Sequence, residues 1–250
     1  MNKMIKLKEK DIVNLFIIDQ DYDGLGISKF DDFLIFVRGA IVGEEVSARI
    51  DKMHRNFAEA HVLNVIKKSE NRIEARCKYF PECGGCSLLH MKYPFTVHVK
   101  KNAFLVTLKK IASIEGKELI DEVIMMDYDK SRLDYYISGF RNKIQMPASI
   151  NKQGKLIFGY YEKETHNVID IDYCFSQSEG VNDLIIFIKN ICRDYKISSY
   201  NENNKKGILR HLLVRENYQG KCMVAFIVNE RIDANVLMQI KNKIINKLLL

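Results

Sequence analysis

The sequence of 250 residues contains no long hydrophobic segment. Its uninterrupted apolar runs, such as residues 184–188, are far shorter than the roughly 20 residues that a membrane-spanning helix needs. The basic start, MNKMIKLKEK, leads into no apolar stretch of the kind found in secretory signal peptides. These absences predict a soluble, cytoplasmic protein whose thiols stay reduced.

Familiar catalytic and nucleotide-binding motifs are also missing. There is no G-x-G-x-x-G after a strand, no P-loop, no H-E-x-x-H and no nucleophile elbow. Gly24 and Gly26 lie in a turn between predicted strands, without the helix that a dinucleotide site requires. From its motifs alone, the chain therefore shows no catalytic machinery.

Composition and charge set broad limits. Hydrophobic residues make up 47% of the chain, which is enough for one large domain or two ordinary ones. The 39 basic and 32 acidic residues give a net charge of +7. This surplus weakly favours a polyanionic partner such as nucleic acid, although similar surpluses occur in ordinary soluble proteins.

The first 68 residues show the pattern of short strands separated by turns. Residues 12–18 and 33–37 are apolar and rich in β-formers, and two later segments alternate strictly between apolar and polar residues. The alternating apolar positions are Val46, Ala48 and Ile50, and then Ala58, Ala60 and Val62. So many strands in so short a segment predict a small closed barrel of the OB type over residues 1–68.

A basic and aromatic group lies between two of these strands, at Lys52, His54, Arg55 and Phe57. Basic side chains beside an aromatic ring suit contact with RNA phosphates and bases. A solvated loop is the equally good alternative. Lys52 and Arg55 are therefore candidate RNA-binding residues.

Residues 69–250 predict a mixed α/β domain, which gives the whole chain an α+β fold. Helices are expected from residue 97, over 181–195 and over 233–250, and the first should bury the apolar positions Phe104, Leu105, Leu108 and Ile111. Strands are expected over 140–146, 156–161, 208–215 and 222–228.

Basic side chains on these strands extend the set of RNA-binding candidates. Arg141 and Lys143 alternate with apolar residues and should share one strand face. Arg210 and Arg215 are the further candidates. Arg210 shares its face with apolar residues, so a role as a buried ion-pair partner is the alternative.

Four of the six cysteines form the most informative pattern. Cys77, Cys83 and Cys86 are spaced C-x5-C-x2-C, and Cys174 follows nearly ninety residues later. In a reducing compartment such a set predicts a metal or iron–sulfur site rather than disulfides. Zinc and iron–sulfur clusters both accept four thiolates, and the irregular spacing favours the cluster.

The two remaining cysteines have a different context. Cys192 lies on the apolar face of a predicted helix, and Cys222 begins a predicted strand. Both are expected to be small core residues.

Several segments together resemble the RNA uracil-5 methyltransferases that modify large-subunit ribosomal RNA. Residues 77–90 are similar to that family's CxxxxxCGGCxLQH signature, with Leu89 where glutamine is usual. The other similar segments are 23–28, 36–40 and 43–44, which resemble a TRAM domain, and 140–143, 159–161, His166, Cys174 and 207–211, which resemble the central domain.

The resemblance implies specific chemistry. Cys77, Cys83, Cys86 and Cys174 would ligate a [4Fe–4S] cluster that supports the fold, and S-adenosylmethionine would supply the methyl group. In such enzymes a cysteine thiolate adds to C6 of a flipped-out uracil before C5 is methylated. The expected partner is RNA, with large-subunit ribosomal RNA foremost. The protein is expected to be a monomer that binds neither DNA nor membranes.

The sequence ends after residue 250, where the resemblance would place the methyltransferase domain with its Rossmann-like fold, nucleophile and general base. The expectation at this stage is therefore that this C-terminal domain is missing and that the chain is an inactive fragment with no catalytic residues of its own. A stand-alone, non-catalytic RNA-binding iron–sulfur protein is the alternative. A TRAM-bearing radical methylthiotransferase is disfavoured, because its C-x3-C-x2-C spacing differs from that found here.

Overall fold

The computed structural model describes residues 7–115, 122–126 and 137–248. These residues form two compact units. The first contains the chain up to Ala75 and the segment that begins at Ser87, and the second contains Arg76–Cys86 and the chain from Ile137 onwards. The boundary after residue 68 stays a prediction, and the observed units are interleaved in sequence because the segment 76–86 leaves the first unit to join the second.

The first unit is built on a six-stranded sheet. Its strands are β1 (Ile12–Phe16), β2 (Asp19–Gln20), β3 (Gly26–Phe30), β4 (Phe33–Arg38), β5 (Glu45–Met53) and β6 (Phe57–Lys67). They are ordered β1-β5-β6-β4-β3-β2, and every pair is antiparallel except β4 with β6.

The sheet curls towards closure. The Ile18 N–H donates to the Ile27 carbonyl over 2.8 Å, and the Ser28 hydroxyl donates to the Phe16 carbonyl over 2.8 Å. These bonds join β3 to the end of β1, as closure of a barrel requires. The alternating positions of β5 and β6 point inwards as predicted, since Val46, Ala48, Ile50, Ala58 and Ala60 are all almost fully buried.

A buried ion pair anchors the chain that leaves this barrel. The Glu44 carboxylate is fully buried and accepts hydrogen bonds from Ile41 N–H and from the Arg72 guanidinium. Arg72 also donates to the Gly39 carbonyl over 2.6 Å. The pair therefore holds the residues after β6 against the turn before β5.

The helix of the first unit, α1 (Tyr93–Thr107), continues into a π-helical turn at Leu108–Ala112. The prediction that the apolar face of this helix is buried is wrong, because Phe104 is 53% exposed and Ile111 is 82% exposed. The buried residues of α1 are Thr96 and Val99, nearer its start.

The second unit contains a five-stranded antiparallel sheet. Its strands are β7 (Lys143–Ile150), β8 (Leu156–Tyr161), β9 (Val168–Asp170), β10 (Leu209–Glu216) and β11 (Cys222–Val228), in the order β11-β10-β7-β8-β9.

Two helices contribute to the core of this unit. In α2 (Glu179–Asp194), the Ser178 hydroxyl caps the start by accepting a hydrogen bond from the Val181 N–H. Leu184 and Ile188 of α2 are buried in the same core as Phe158 of β8. The helix α3 (Ala234–Leu248) adds Ile240 and Ile244 to that core, and residues 249–250 of the predicted helix lie outside the described residues.

The first predicted strand of this unit is displaced along the sequence. It was expected over 140–146, but β7 starts at Lys143. The Gly139 N–H donates to Phe175 and the Arg141 N–H donates to Ser176, so this segment pairs with the loop that follows Cys174. The backbone before β7 is thus diverted towards the cysteines.

No helix within the described ranges is both long enough and apolar enough to cross a membrane.

Candidate cysteine centre and basic surfaces

The four cysteines of the predicted cluster site all lie in the second unit. Cys77, Cys83 and Cys86 are in the segment 76–86, and Cys174 is in the loop between β9 and α2. Burial raises the pKa of the Cys83 thiol, and the charges of the other three cysteines raise it further. The structure therefore brings the four thiols into one neighbourhood, and all four are free of disulfides.

Cys174 is the best anchored of the four. It is 9% exposed, and its N–H donates to the Asn182 side-chain oxygen over 2.8 Å. The Asn182 amide in turn donates to the Cys174 carbonyl over 3.1 Å. Because Asn182 lies on α2, these two hydrogen bonds fix Cys174 to that helix.

The two glycines between Cys83 and Cys86 shape the other side of the centre. The Gly84 N–H donates to the Tyr161 carbonyl over 2.9 Å, and a Cβ at Gly84 would lie only 2.9 Å from that oxygen. The Gly85 N–H points to Cys83 Sγ over 3.4 Å, a weak bond that favours the thiolate. The C-G-G-C segment thus needs glycine for its close approach to β8.

Arg141 lies at this centre rather than on the face of β7. Its guanidinium donates to the Gly85 carbonyl over 2.9 Å and lies 5.5 Å from the centre of the Tyr160 ring. Burial lowers the pKa of Arg141, but contact with Tyr160 and the charges of Cys86 and Cys174 outweigh this and raise it overall. Arg141 therefore offers a positive charge to the thiols, and its role in RNA contact stays a prediction.

Among residues 7–115, 122–126 and 137–248, no three His, Cys, Asp or Glu side chains are close enough to hold a single metal ion. A single tetrahedral zinc ion would need its sulfurs about 3.8 Å apart, given Zn–S bonds of about 2.3 Å.

Lys143 and Arg215 form a basic pair on the exposed part of the second sheet. They are directly opposite each other in the β7–β10 register, and both are exposed. Like charges facing each other across two strands repel. Such an arrangement is suited to an anionic ligand, which would relieve the repulsion.

Arg210 is near the other end of β10. Its guanidinium lies 4.3 Å from the centre of the Tyr200 ring, and it forms no ion pair with the residues that the structure describes. The alternative reading of Arg210 as a buried ion-pair partner is thus not what the structure contains.

On the barrel, Lys52 and Arg55 are exposed at the β5–β6 hairpin. The neighbouring rings of His54 and Phe57 stack with centres 4.3 Å apart. Lys52 faces Glu59 across the hairpin, which offsets part of its charge. The predicted basic and aromatic group is therefore assembled on one hairpin.

Cys192 and Cys222 lie apart from the four clustered cysteines. Cys192 is 1% exposed in the core, and burial raises its pKa to about 12. Cys222 packs against the same core and is partly exposed. Their expected role as small core residues matches these positions.

The barrel corresponds to a known family. Residues 7–63 match the TRAM domain, and this range covers all of β1 to β5 and most of β6. Residues 7–63 form a TRAM domain. The predicted OB-like barrel at the start of the chain is accordingly this domain.

Nearly the whole chain is similar to bacterial proteins named RNA methyltransferases. An uncharacterised RNA methyltransferase of Clostridium acetobutylicum is 35% identical, over 92% of this chain and 48% of the relative. One from Clostridium tetani is 34% identical, over 99% of this chain and 51% of the relative. One from Staphylococcus aureus is 32% identical, over 90% of this chain and 48% of the relative.

A solved structure has a similar fold. It is the Pyrococcus abyssi tRNA (uracil-54, C5)-methyltransferase in complex with S-adenosyl-L-homocysteine, with a TM-score of 0.61 and 23% identity. The likeness covers 90% of this chain and 48% of that one. The chain thus spans about half the length of the relatives it matches.

These matches overturn the expectation of an inactive or non-catalytic fragment that lacks its methyltransferase domain. Proteins named RNA methyltransferases align with 90–99% of the chain, TRAM domain included. The expectation rested on where the sequence ends, and the end of a sequence is no evidence about a protein's activity. The chain is related to enzymes along nearly all of its length.

Several residues of the cysteine centre could not be recognised in the sequence. Asn182 and Tyr160 are ordinary members of a helix and a strand, and Ser176 lies 3.5 Å from Cys86 Sγ without belonging to any motif. The charge of Arg141 is visible in the sequence, but its contact with Gly85 is not. No sequence signal marked the backbone course before β7, because the alternation of residues 140–146 is that of a strand.

Proposed function

We propose that the protein is an S-adenosylmethionine-dependent RNA methyltransferase that acts on C5 of uracil. The observation that carries this proposal is the alignment of nearly the whole chain with proteins named RNA methyltransferases. The fold shared with a tRNA uracil-C5 methyltransferase supports the choice of uracil C5. In this role S-adenosylmethionine supplies the methyl group.

The described units contribute RNA binding. On the TRAM domain, Lys52 and Arg55 meet phosphates beside the stacked rings of His54 and Phe57. On the second unit, the Lys143–Arg215 pair meets the backbone of the same RNA. Both groups are exposed, basic and held on paired strands.

The four gathered cysteines hold a [4Fe–4S] cluster in this proposal. The fit rests on four free thiols in one neighbourhood, the nearby guanidinium of Arg141, and the two hydrogen bonds between Asn182 and Cys174. Cys77, Cys83, Cys86 and Cys174 would be the ligands. The cluster would tie the segment 76–86 to the core of the second unit.

The activity is tested by incubating the purified protein with labelled S-adenosylmethionine and RNA, followed by nucleoside mass spectrometry. The expected product is 5-methyluridine. Methylation at another atom, or no methyl transfer to any RNA, would contradict the proposal. Ribosomal RNA of the large subunit is the proposed substrate, and transfer RNA assayed in parallel is the competing one.

The cluster is tested by anaerobic purification with metal and sulfide analysis. We expect broad absorption near ~400 nm and about four iron and four sulfide per chain. Cys174→Ala should lose the iron, and Cys222→Ala, which changes a cysteine outside the centre, should keep it. A colourless protein with one zinc would refute the cluster while retaining the thiolate site.

We also propose that the protein acts as a monomer in the cytoplasm, where its thiols remain reduced. Light scattering coupled to size-exclusion chromatography checks the first statement. Cell fractionation checks the second.

A further inference from the structure

The second unit contains a large open cleft that is separate from both groups assigned to RNA above. Its volume is about 1200 Å³. One wall is the end of β7 from Pro147 to Ile150, and the opposite wall is the polar loop from Ser198 to Gly207. This loop contains the Asn- and Lys-rich tract 201–206, for which the sequence offered no role.

The cleft is strongly basic. Five lysine or arginine side chains line it, against a single carboxylate, that of Glu202. The basic residues are Lys155, Arg193, Lys196, Lys206 and Arg210. This excess concentrates positive potential in a concave site, which attracts polyanions.

Aromatic rings share the cleft with these charges. Tyr161 and His166 lie edge to face with their ring centres 5.5 Å apart, and Tyr200 lies on the loop wall. Tyr161 is 37% exposed, so its ring is accessible. Rings interleaved with cations form the usual platform for unstacked bases.

A β-bulge directs Arg210 into this cleft. The register between β10 and β11 is interrupted between Leu209 and His211, so Arg210 does not follow the regular alternation. A bulge re-aims a side chain in this way. The guanidinium is held over the Tyr200 ring, where it can face a phosphate while the ring faces a base.

His211 lies in the wall of the cleft. Its Nδ1 is buried and has no hydrogen-bond partner among the described residues. Burial and the charge of Arg210 lower the pKa of His211, against the opposing charge of Glu202.

The cleft lies on the same face of the sheet as the Lys143–Arg215 pair. His211 is opposite Pro147 in the β7–β10 register, and both residues line the cleft. Pro147 lies four positions from Lys143 along β7, and His211 lies four positions from Arg215 along β10, so all four residues are on the same face of the sheet. The two places are therefore about 13 Å apart along the strands, a distance that a short single-stranded segment spans.

We propose that this cleft binds a few unpaired nucleotides of the RNA, with bases against Tyr200 and Tyr161 and phosphates at Lys206 and Arg210. The site extends the path that begins at Lys143 and Arg215. This inference rests on the proposed function, because it takes RNA as the partner. It assigns single-stranded RNA, rather than a duplex, to the second unit, since stacking on rings requires unpaired bases.

The test measures the affinity of the protein for a fluorescent single-stranded RNA of about ten nucleotides, by anisotropy over a range of salt concentrations. Lys206→Ala combined with Arg210→Ala should weaken binding about tenfold and reduce the salt slope by more than one. The matched control is Lys221→Ala combined with Lys241→Ala, which removes two exposed charges elsewhere in the same unit. The control pair should bind like the unmodified protein.

Stacking is tested at Tyr200. Tyr200→Ala should weaken binding about tenfold, whereas Tyr200→Phe keeps the ring and should stay within about twofold. Circular dichroism and thermal melting verify that each variant is folded. If Tyr200→Ala does not fold, cross-linking of RNA that contains 4-thiouridine replaces it, and cross-links should map to residues 198–211.

The outcomes separate this proposal from the broader one. Unchanged binding by the cleft variants, with weaker binding by Lys52→Ala combined with Arg55→Ala, would overturn the cleft and leave the proposed function intact. Cross-links confined to the TRAM domain would do the same. Failure of the unmodified protein to bind any RNA would instead contradict the proposed function itself.

Discussion

Replacing both members of the Lys143–Arg215 pair should change RNA affinity and stability in opposite directions. The two residues face each other across β7 and β10, and both are exposed. Directly opposed like charges destabilise a strand pair by a few tenths to about 1 kcal/mol. Lys143→Ala combined with Arg215→Ala should therefore raise the free energy of unfolding by about 0.5 kcal/mol at low salt, and by less when salt screens the charges.

The same double variant should lose two phosphate contacts. Each contact to single-stranded RNA contributes about 0.7 to the slope of log K against log salt concentration. The slope should therefore fall by about 1.4, which corresponds to roughly 15-fold weaker binding at 0.15 M salt relative to the 1 M limit.

Urea unfolding and fluorescence anisotropy, each at several salt concentrations, measure the two effects. The Lys221→Ala and Lys241→Ala control removes the same charge and should alter neither quantity in this way. A double variant that is less stable and binds RNA with an unchanged slope would refute the reasoning. That result would mean that the pair supports the sheet and has no part in RNA binding.

Three further predictions concern stability and reactivity. Arg72→Ala should cost the TRAM domain about 3–5 kcal/mol in urea unfolding, because it leaves a fully buried carboxylate without its cation. Gly159→Ala should destabilise the second unit severely, since its methyl group would overlap the Ile169 carbonyl. Gly180→Ala places its methyl group in open space on a helix and should stabilise the protein by up to about 1 kcal/mol. Melting curves of the two variants measure both effects. Iodoacetamide at pH 8 should leave Cys192 unmodified until the protein is denatured, because burial raises its pKa to about 12, and mass spectrometry detects the adduct.

The barrel was predictable because its pattern is local. Val46, Ala48 and Ile50 alternate with polar residues, and that period of two determines which side chains face the core. The same rule failed for residues 140–142, which were expected to be part of the strand but precede β7. The N–H groups of Gly139 and Arg141 instead bond to the loop after Cys174, a long-range pairing that no local pattern encodes.

The α1 region shows a second limit of prediction from sequence periodicity. Its apolar residues recur at helical spacing and a helix forms, but Phe104 and Ile111 are exposed. Periodicity predicts which residues share a face of a helix. It cannot predict whether another element of the described structure covers that face.

The cysteine centre was recognisable by its ligand types but not by its supports. Three cysteines and two glycines stand in one short segment, so the motif is visible in the sequence. Asn182 and Arg141 come from distant parts of the chain, and only the fold reveals their contacts with Cys174 and with the segment 76–86. The bulge that directs Arg210 is likewise invisible in sequence, because a bulge is a property of strand pairing.

Arg141 connects the cysteine centre to the basic sheet face. It donates to the Gly85 carbonyl and lies two residues before Lys143, where β7 starts. Loss of the centre should therefore loosen the start of β7 and misplace Lys143 without removing its charge. Cys174→Ser should weaken RNA binding by a factor that is nearly the same at every salt concentration, whereas Lys143→Ala should lower the salt slope. Anisotropy titrations of the two variants side by side distinguish these cases, and a reduced slope in Cys174→Ser would show that the cysteines act through charge rather than through the position of β7.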